Sequence, residues 1–317
     1  MTETRISGPF PIRVEDIPPL NAMFSDAFSE RYRRDGMAGV RVPPLNPAIW
    51  RFAIDAAGDG AMLWRDSQGN IAAFNLAHVL GGEGWMGPLA VREDLQQRGL
   101  GREIVEAGIA RLKAAGCRTI GLETMPRTMD NIGFYASLGF NPGALTITVT
   151  LDAQAGPPPT LLGLGGSGER EASIAACAAL LASVRPGADY SREIQLTLRH
   201  GLGDVLLLHG DDGSLRGFAL YHEVPLVEGR SREELRVLKL ALADAADLPA
   251  MAQLLRFQAR RSGALRAALR LQGEFSSALR VLVAHGARVR WTDLRMTLSG
   301  YEEPRVLRGM AVSNWEI

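Results

Sequence analysis

A short segment near residue 100 combines glutamine, arginine and glycine in an order that can hold an anion. The segment is Gln96–Arg102, and it follows an apolar stretch, Trp85–Val91, that is typical of a buried strand. Apolar residues then recur at helical spacing, which predicts a helix that begins at about Arg102 and ends before Gly116. The pattern therefore predicts a strand, a glycine-rich turn and a helix.

This turn has the chemistry of a phosphate site. The first N–H groups of a helix have no acceptor within the helix, and the helix dipole favours negative charge there. Gly99 and Gly101 carry no side chain that would keep an anion from the backbone, while Arg98 and Arg102 can add charged hydrogen bonds. A tight turn in which the glycines serve conformation alone is the alternative, and Gly-x-Gly by itself favours that alternative.

Two further features favour the binding interpretation. Pro88 lies inside the predicted strand, and a proline in a sheet is confined to an edge or a bulge because it cannot donate a ladder hydrogen bond. A bulge would bend this strand away from its neighbour and open a cleft beside the turn. Downstream, Thr119–Met125 is typical of another strand, and Asn131–Phe140 is typical of a short helix that carries Tyr135.

The two motifs in this order, Gln-x-x-Gly-x-Gly and then Asn-x-x-x-Tyr-x-x-x-Gly-Phe, resemble the GNAT superfamily of N-acetyltransferases over residues 12–150. The resemblance implies a mixed sheet whose fourth and fifth strands splay apart. Acetyl-coenzyme A would lie in that splay, with its pyrophosphate on Gln96–Arg102. A dinucleotide-binding fingerprint fits less well, because it needs a third glycine where this sequence has Ile104.

The resemblance also implies roles for single residues. Backbone groups of Leu89–Val91 would pair with the pantetheine arm like an added strand, and one of their N–H groups would polarise the acetyl carbonyl. Tyr135 would be the general acid to the departing thiolate, with a core tyrosine as the alternative. Asn131 would bond the pantetheine or cap its helix. The expected cofactor-binding residues are Leu89, Ala90, Val91, Gln96, Gln97, Arg98, Gly99, Leu100, Gly101, Arg102 and Asn131.

The general base is harder to assign. An ammonium acceptor must lose a proton before it attacks the thioester. Glu123, on the strand that precedes the tyrosine helix, is the best single candidate, and Glu83 and His78 are alternatives. Many GNAT enzymes resemble one another in using ordered water for this step, so the site need not contain a base.

Part of the second half repeats the first. Leu63–His78 reads LWRDSQGNIAAFNLAH and Leu207–His222 reads LLHGDDGSLRGFALYH, and matching residues pair at one gap-free offset, 222 − 78 = 144. This register indicates an internal duplication, although two unrelated hairpins can look alike, and the repeated histidine favours a structural role for His78.

The duplication predicts two tandem GNAT-like α/β domains, residues 1–153 and 161–317. We expect each to be a mixed, mostly antiparallel sheet flanked by helices, with a proline-rich linker at 154–160 between them.

The second half lacks the glycine turn. Ala243–Ala250 stands in its place and brings acidic residues that would repel a pyrophosphate, and Leu282 stands opposite Tyr135. We expect this half to keep the fold, to lack the cofactor, and to act as a structural partner that imitates a two-fold dimer and can complete the acceptor pocket.

Composition limits the binding partners and the cellular compartment that we expect for the protein. Lys plus Arg equals Asp plus Glu at 35 each, so charge gives no argument for nucleic acid or an anionic membrane as a partner. We find no apolar run long enough to span a bilayer and no signal-peptide pattern at the start. Cys117 and Cys177 are typical of a reducing compartment, for which we expect the cytoplasm, and no Cys/His cluster has metal-binding spacing.

These features predict an N-acetyltransferase that moves an acetyl group from acetyl-coenzyme A to a primary amine by direct attack in a ternary complex. We expect a monomeric pseudo-dimer or a homodimer, and the acceptor is a small-molecule amine or a peptide N-terminus. A non-catalytic module that senses acyl-coenzyme A is the alternative, and a longer acyl chain also stays open. Tyr135 beside the glycine turn favours the enzyme, because a binder needs only the turn.

Overall fold

The same order of helices and strands occurs twice along the chain. The computed structural model describes residues 5–155, 163, 168–306 and 308–314, and we call the part up to residue 155 the first half and the part from residue 163 the second half. The first half contains, in order, β1 (Ile6–Pro11), α1 (Ile17–Arg34), α2 (Pro47–Ala57), β2 (Ala61–Asp66), β3 (Ile71–Leu80), β4 (Glu83–Val91), α3 (Leu100–Ala114), β5 (Thr119–Thr124), α4 (Met129–Ser137) and β6 (Phe140–Asp152). The second half contains α5 (Arg170–Val184), α6 (Ser191–His200), β7 (Gly203–His209), β8 (Leu215–His222), β9 (Glu234–Leu242), α7 (Leu248–Arg261), β10 (Arg266–Gln272), α8 (Ser276–Ala284), β11 (Arg288–Leu298) and β12 (Met310–Ser313).

The described strands form one sheet in which the two halves exchange their last long strands. The 12-stranded sheet has the order β1-β2-β3-β4-β5-β11-β6-β10-β9-β8-β7, and β12 pairs with β9. β11 of the second half lies between β5 and β6, while β6 of the first half lies between β11 and β10. The last long strand of each half is therefore hydrogen-bonded to strands of the other half.

The predicted fold class is confirmed. The sheet is mixed and mostly antiparallel, with parallel pairing between β4 and β5 and between β9 and β10. The two predicted sheets are continuous with each other because β6 and β11 pair across the halves. The domain boundaries 1–153 and 161–317 stay a prediction, and the Gly-Pro-Pro-Pro segment of the linker, residues 156–159, lies outside the described residues.

The hairpins of the two halves pair in the same register, which agrees with a duplication. Leu63 lies opposite Phe74 between β2 and β3, and Leu207 lies opposite Phe218 between β7 and β8. In both hairpins the register then shifts at the matching place, between Trp64 and Arg65 in β2 and between Leu208 and His209 in β7. Since irregularities of this kind are kept within families, a shared one is stronger evidence of common origin than a shared strand order.

An approximate two-fold relation also holds at the centre of the sheet. Arg295 of β11 lies opposite Glu123 of β5, and Arg270 of β10 lies opposite Thr148 of β6. Glu123 and Arg270 are therefore equivalent positions, 147 residues apart, and Arg270 Nη2 donates to Glu123 Oε2 at 2.6 Å. The contact between these equivalent positions is thus an ion pair of opposite charges.

Helices pack on both faces of the first-half sheet, and β4 contributes to both cores. Met86 packs with residues of α3 and α4, whereas Ala90 packs with residues of α1 and α2. Residues four apart on a regular strand share one face. The change of face therefore requires an extra residue between Met86 and Ala90.

The last described strand fills a place in the second half that stays open in the first. β12 pairs with the end of β9, Lys239–Leu242, beyond the part of β9 that pairs with β10. This end of β9 corresponds to the end of β4, since Ala241 lies opposite Phe218 as Ala90 lies opposite Phe74. The second half has its own chain at the position where acetyl-coenzyme A is expected in the first.

Several elements differ from the expectations drawn from the sequence. The first strand is Ile6–Pro11, whereas the sequence favours a short strand at Ile12–Val14, and α3 begins at Leu100 rather than near Arg102. The sequence-based assignment also missed α2, α6, β10 and β12. For α2 a signal was present, because Asn46 before Pro47 is a typical helix start and Asn46 Oδ1 accepts from Ala48 N at 3.0 Å.

We expect residues 1–153 expressed alone to lack a stable monomeric fold. Both sheet neighbours of β6 belong to the second half, so the isolated first half leaves β6 without them and exposes one edge of β5. Size-exclusion chromatography should show aggregates or oligomers, and co-expression with residues 160–317 should restore a soluble complex. A stable monomer formed by residues 1–153 alone would contradict the role given to the exchanged strands.

The last described strand, β12, should contribute strongly to the stability of the fold. Met310 is 0% exposed in β12, and replacing a buried methionine by alanine costs about 2–5 kcal/mol. We expect Met310→Ala to lower the free energy of unfolding in denaturant by that amount. Met129 at the start of α4 is 77% exposed, so Met129→Ala, the matched control, should change it by less than about 0.5 kcal/mol. Equal effects of the two substitutions would show that β12 is not part of the core.

Candidate functional site

β4 and β5 separate at the position where β4 bulges. Parallel pairing between the two strands ends at Met86 and Leu122. The register between β4 and β3 shifts over the same part of β4, which gives β4 one extra residue at Gly87-Pro88. The bulge predicted at Pro88 is therefore confirmed. Beyond it, no described strand pairs with the edge of Leu89–Val91 that faces β5, and a cleft results.

A buried histidine holds this bulge. Nε2 of His78 donates to the Gly87 carbonyl oxygen at 3.0 Å. Burial lowers the pKa of His78 to about 4 although the hydrogen bond to Gly87 acts in the opposite direction, so the ring is neutral near pH 7. His222, at the repeated position, contacts Thr197 Oγ1 at 2.9 Å and is also buried. These contacts favour a structural role for His78, as the repetition of the residue had indicated.

The glycine turn presents backbone amides at the start of α3. Gly99 is the N-cap residue, with a φ of 86° that favours glycine, and nothing lies within 4 Å of a Cβ built there. Glu103 N donates to Gly99 O at 3.2 Å, so the amides of Leu100–Arg102 have no acceptor within the helix. Gln97 and Arg98 are exposed in the same turn. The geometry fits an anionic group such as a pyrophosphate.

The turn is tied to α1 through Gln96. Gln96 Nε2 donates to the Val91 carbonyl oxygen at 3.1 Å, which links the turn to the end of β4. Arg34 at the end of α1 donates to Gln96 Oε1 at 3.2 Å and to Glu93 Oε1 at 3.4 Å. Gln96 therefore positions the turn, and Arg34 was not singled out from the sequence.

A cavity of about 480 Å³ occupies the space between the bulge, the turn and the second half. Part of the predicted site lines it, namely Leu89, Ala90, Val91, Gln96, Gly101, Glu123, Asn131 and Tyr135. The other predicted residues lie in the adjacent turn outside this lining, with Gln97, Arg98, Gly99 and Arg102 exposed and Leu100 buried. The lining residues that sequence reasoning missed include Phe24, Phe28, Tyr32, Leu226, Val227, Trp291 and Asp293.

Tyr135 has the properties of a proton donor. It is 7% exposed in α4, lines the cavity and packs against Phe134 and Phe140 with ring centroids 5.2 and 6.1 Å away. Burial raises the pKa of Tyr135 to about 12, so its hydroxyl stays protonated at neutral pH. A protonated hydroxyl beside the cleft can donate to an anion that develops there.

Asn131 faces the same cavity but does not cap its helix. The N-cap residue of α4 is Thr128, and Asn131 is the third residue of the helix. Its Nδ2 lies 3.5 Å from Thr124 Oγ1 on β5, and the residue is only half-buried. Of the two roles expected for Asn131, capping is therefore wrong, and contact with a bound molecule stays a prediction.

Glu123 lines the cavity, but its environment is unsuitable for a general base. Its carboxylate accepts from Arg270 at 2.6 Å, from Arg295 at 2.7 Å and from Thr146 at 2.5 Å. Burial would raise the pKa of Glu123, but Arg270 and Arg295 outweigh burial and hold it below its ordinary value. A carboxylate stabilised in its charged form is a weak proton acceptor, so the structure argues against the role expected for Glu123.

The other carboxylates near the cleft are also paired with arginine. Glu30 accepts hydrogen bonds from Arg33 and Arg34, which lower the pKa of Glu30 to about 2. Glu83, the alternative base, lies outside the cavity lining and pairs with Arg185. Within the described lining of the cavity, each carboxylate thus accepts a hydrogen bond from a guanidinium group.

The described part of the chain has three general features. No helix there combines the length and the apolar character needed to cross a bilayer. The same residues contain no group of His, Cys, Asp and Glu arranged to hold a metal ion. Both cysteines are buried.

Comparison with known proteins gives a family match in the first half and sequence relatives that match part of the chain. The profile of the acetyltransferase (GNAT) family matches residues 21–140. The ribosomal protein bS18-alanine N-acetyltransferase of Escherichia coli is 38% identical over 73 residues, which are 23% of this chain and 49% of that protein. The corresponding Salmonella typhimurium protein is 39% identical over 71 residues, or 22% of this chain and 48% of that protein. The matched stretch therefore spans about half the length of these relatives.

Comparison with solved structures extends over both halves and concerns the fold alone. A tandem GNAT protein from the clavulanic acid biosynthesis pathway superposes with a TM-score of 0.62 at 12% identity, covering 96% of this chain and 100% of that one. A GCN5-related N-acetyltransferase from Sphaerobacter thermophilus gives a TM-score of 0.59 at 13% identity, covering 96% and 98%. The profile match covers the strand, turn and tyrosine helix that form the cleft, and the structural matches each cover 96% of the chain. Residues 21–140 therefore match the acetyltransferase (GNAT) family, and the two halves together have the fold of the tandem GNAT protein.

Proposed function

We propose that this protein is an N-acetyltransferase that uses acetyl-coenzyme A and a primary amine, with its active site in the first half. The single observation that carries the proposal is the cleft beyond Gly87-Pro88, which opens between the glycine turn and Tyr135. A thioester arm can pair with the free edge of Leu89–Val91 while its pyrophosphate rests on the first amides of α3. Three requirements of acyl transfer, namely a held donor, a polarised carbonyl and a proton source, are then met by adjacent groups.

The proposed reaction is a direct attack in a ternary complex. The neutral amine nitrogen forms a bond with the acetyl carbon, and a backbone N–H near Ala90 or Val91 stabilises the oxygen that becomes negative. The carbon–sulfur bond then breaks, and Tyr135 gives its proton to the departing thiolate. The amine releases its surplus proton to water, and water returns a proton to Tyr135.

Proton removal from the acceptor favours an amine of low pKa. Because the carboxylates in the described lining are paired with arginine, water is the acceptor of the amine's proton in this proposal. An α-amino group has a pKa of about 7.7–8.0, whereas a lysine side chain has one of about 10.4, so far more of the former is neutral at pH 7.5. We infer that the acceptor carries an α-amino group or an amine of similar pKa.

The sequence relatives support the same class of acceptor. Their name states that they acetylate the alanine of ribosomal protein bS18. They match this chain over 73 and 71 residues, about half of their own length. We propose a peptide N-terminus or a small α-amine as the acceptor, and the ribosomal protein itself is not implied.

The second half supports the reaction without binding the cofactor in this proposal. β12 occupies its splay, and Asp247 is the N-cap residue of α7 where the first half has the glycine turn. One acetyl-coenzyme A site per chain follows, in a monomeric pseudo-dimer or a homodimer. The cytoplasm stays a prediction from the content of cysteine alone.

An acyl-coenzyme A sensor without catalysis is the alternative function. It would use the cleft and the turn but would have no need for a protonated tyrosine beside the thioester. The two functions therefore differ in what Tyr135 contributes, and substitution of this residue separates them.

The turn can be tested by placing a charge in it. We expect Gly99→Asp to abolish stabilisation by acetyl-coenzyme A, because a carboxylate there repels the pyrophosphate. Thermal unfolding is the measurement, and binding at 100 times the Kd adds about 2.7 kcal/mol to the wild-type stability. Gly116→Asp is the matched control, since Gly116 also has a positive φ, 77°, and open space around it, but lies beyond the other end of α3. Equal stabilisation of Gly99→Asp and the control would show that the turn binds no phosphate.

The proton donor can be tested by removing one hydroxyl. We expect Tyr135→Phe to lower kcat roughly 100-fold or more while stabilisation by acetyl-coenzyme A is kept. Thiol release with alaninamide as acceptor is the measurement, and Tyr301→Phe, outside the cavity lining, is the control. Because burial raises the pKa of Tyr135 to about 12, the wild-type rate should rise as the amine loses its proton and should not fall again below about pH 10. Unchanged kcat in Tyr135→Phe would favour the sensor.

A further inference from the structure

The exchanged strand β11 carries residues of the second half into the cavity of the first. Trp291 and Asp293 both lie on β11 and both line the cavity. The indole ring of Trp291 and the ring of Tyr32, on α1, have centroids 6.0 Å apart. The two halves therefore form one aromatic surface together. Trp291 reaches this surface because β11 of the second half lies beside β5 of the first.

Trp291 is held in a fixed orientation. Its Nε1 donates to Asp293 Oδ1 at 3.2 Å, and Arg270 donates to Asp293 Oδ2 at 2.9 Å. Arg270 also pairs with Glu123, so the indole belongs to the ion-pair network at the centre of the sheet. A flat ring fixed in this way can select ligands by shape, because little rotational freedom is lost when a ligand contacts it.

A second segment of the same half lines the cavity with apolar side chains. Leu226 and Val227 belong to the cavity lining, and Leu226 O accepts from Asn46 N at 2.8 Å. Val227 also forms a β-bridge with Leu45, which follows α1. The second half therefore supplies an aromatic and an aliphatic surface to the same cavity.

The charges of this region do not favour an acceptor with several positive charges. Glu123 and Asp293 already accept hydrogen bonds from arginine, and Arg31 is also among the lining residues. Apolar and aromatic side chains thus provide the contact area that an acceptor can use. An acceptor with a flat apolar group beside its amine would bury that group against Trp291 and Tyr32.

We propose that Trp291 determines acceptor specificity and that the site prefers α-amines with an aromatic side chain over those with a small one. This inference rests on the proposed N-acetyltransferase function, and it adds the chemical class of the acceptor. The second half contributes to substrate selection rather than only to folding.

The test compares two acceptors and three variants. The acceptors are phenylalaninamide and alaninamide, and the readout is kcat/KM from thiol release with acetyl-coenzyme A as donor. We expect the full-length wild-type protein to prefer phenylalaninamide by roughly tenfold or more. Trp291→Ala should remove that preference mainly through a higher KM for phenylalaninamide. Trp291→Phe should keep most of it, because the aromatic surface remains.

A control variant and a binding measurement make each outcome decisive. Val289→Ala changes an exposed residue of the same strand outside the cavity lining and should behave as wild type. Stabilisation of every variant by acetyl-coenzyme A shows that the first-half site is folded. Three outcomes with normal stabilisation would contradict the specificity proposal and leave the cofactor site intact. Neither amine reacts, both amines react equally, or Trp291→Ala keeps the preference for phenylalaninamide. If acetyl-coenzyme A stabilises no protein and no thiol is released, the proposed function fails and the specificity proposal fails with it.

Discussion

The exchange of β6 and β11 is the constraint on which the rest of the molecule depends. Each of these strands has sheet partners from the other half, so neither half can complete its sheet without the other. The exchange closes an edge of β5 that would otherwise be open, and it brings Trp291 and Asp293 to the first-half cavity. The same strand exchange therefore stabilises the sheet and completes the lining of the first-half cavity.

A single extra residue in β4 accounts for the cleft. The bulge at Gly87-Pro88 ends the pairing with β5, changes the face to which the rest of β4 points, and is held by His78. β9 has a register shift at the corresponding place, but there β12 takes the free edge. Both halves thus have a register shift in the corresponding strand, β4 or β9. They differ in what pairs with the free edge of that strand.

The sequence predicts the parts of the site that local patterns determine. The glycine turn, the bulge at Pro88 and the helix carrying Tyr135 are each signalled by residues close together in the chain, and the structure contains all three. Contributions from distant residues could not be predicted in this way. The strand exchange depends on pairing between strands far apart in sequence, so neither Trp291 in the cavity nor the arginines around Glu123 could be inferred. Glu123 was considered as a base because its strand placed it near the cleft, whereas its protonation depends on partners from β10 and β11.

The ion pair between Glu123 and Arg270 has a consequence for how such a chain can change over time. A symmetric dimer places identical residues at its axis. A dimer of two first halves would bring two carboxylates together, and a dimer of two second halves would bring two guanidinium groups together. Two like charges 4 Å apart repel by about 4 kcal/mol at an effective dielectric constant of 20. Opposite charges meet at this pair of positions only in the mixed arrangement, so divergence here favours pairing of the first half with the second over pairing of either half with itself in the same geometry. In the function proposed above, the second half serves the site of the first half without a cofactor of its own.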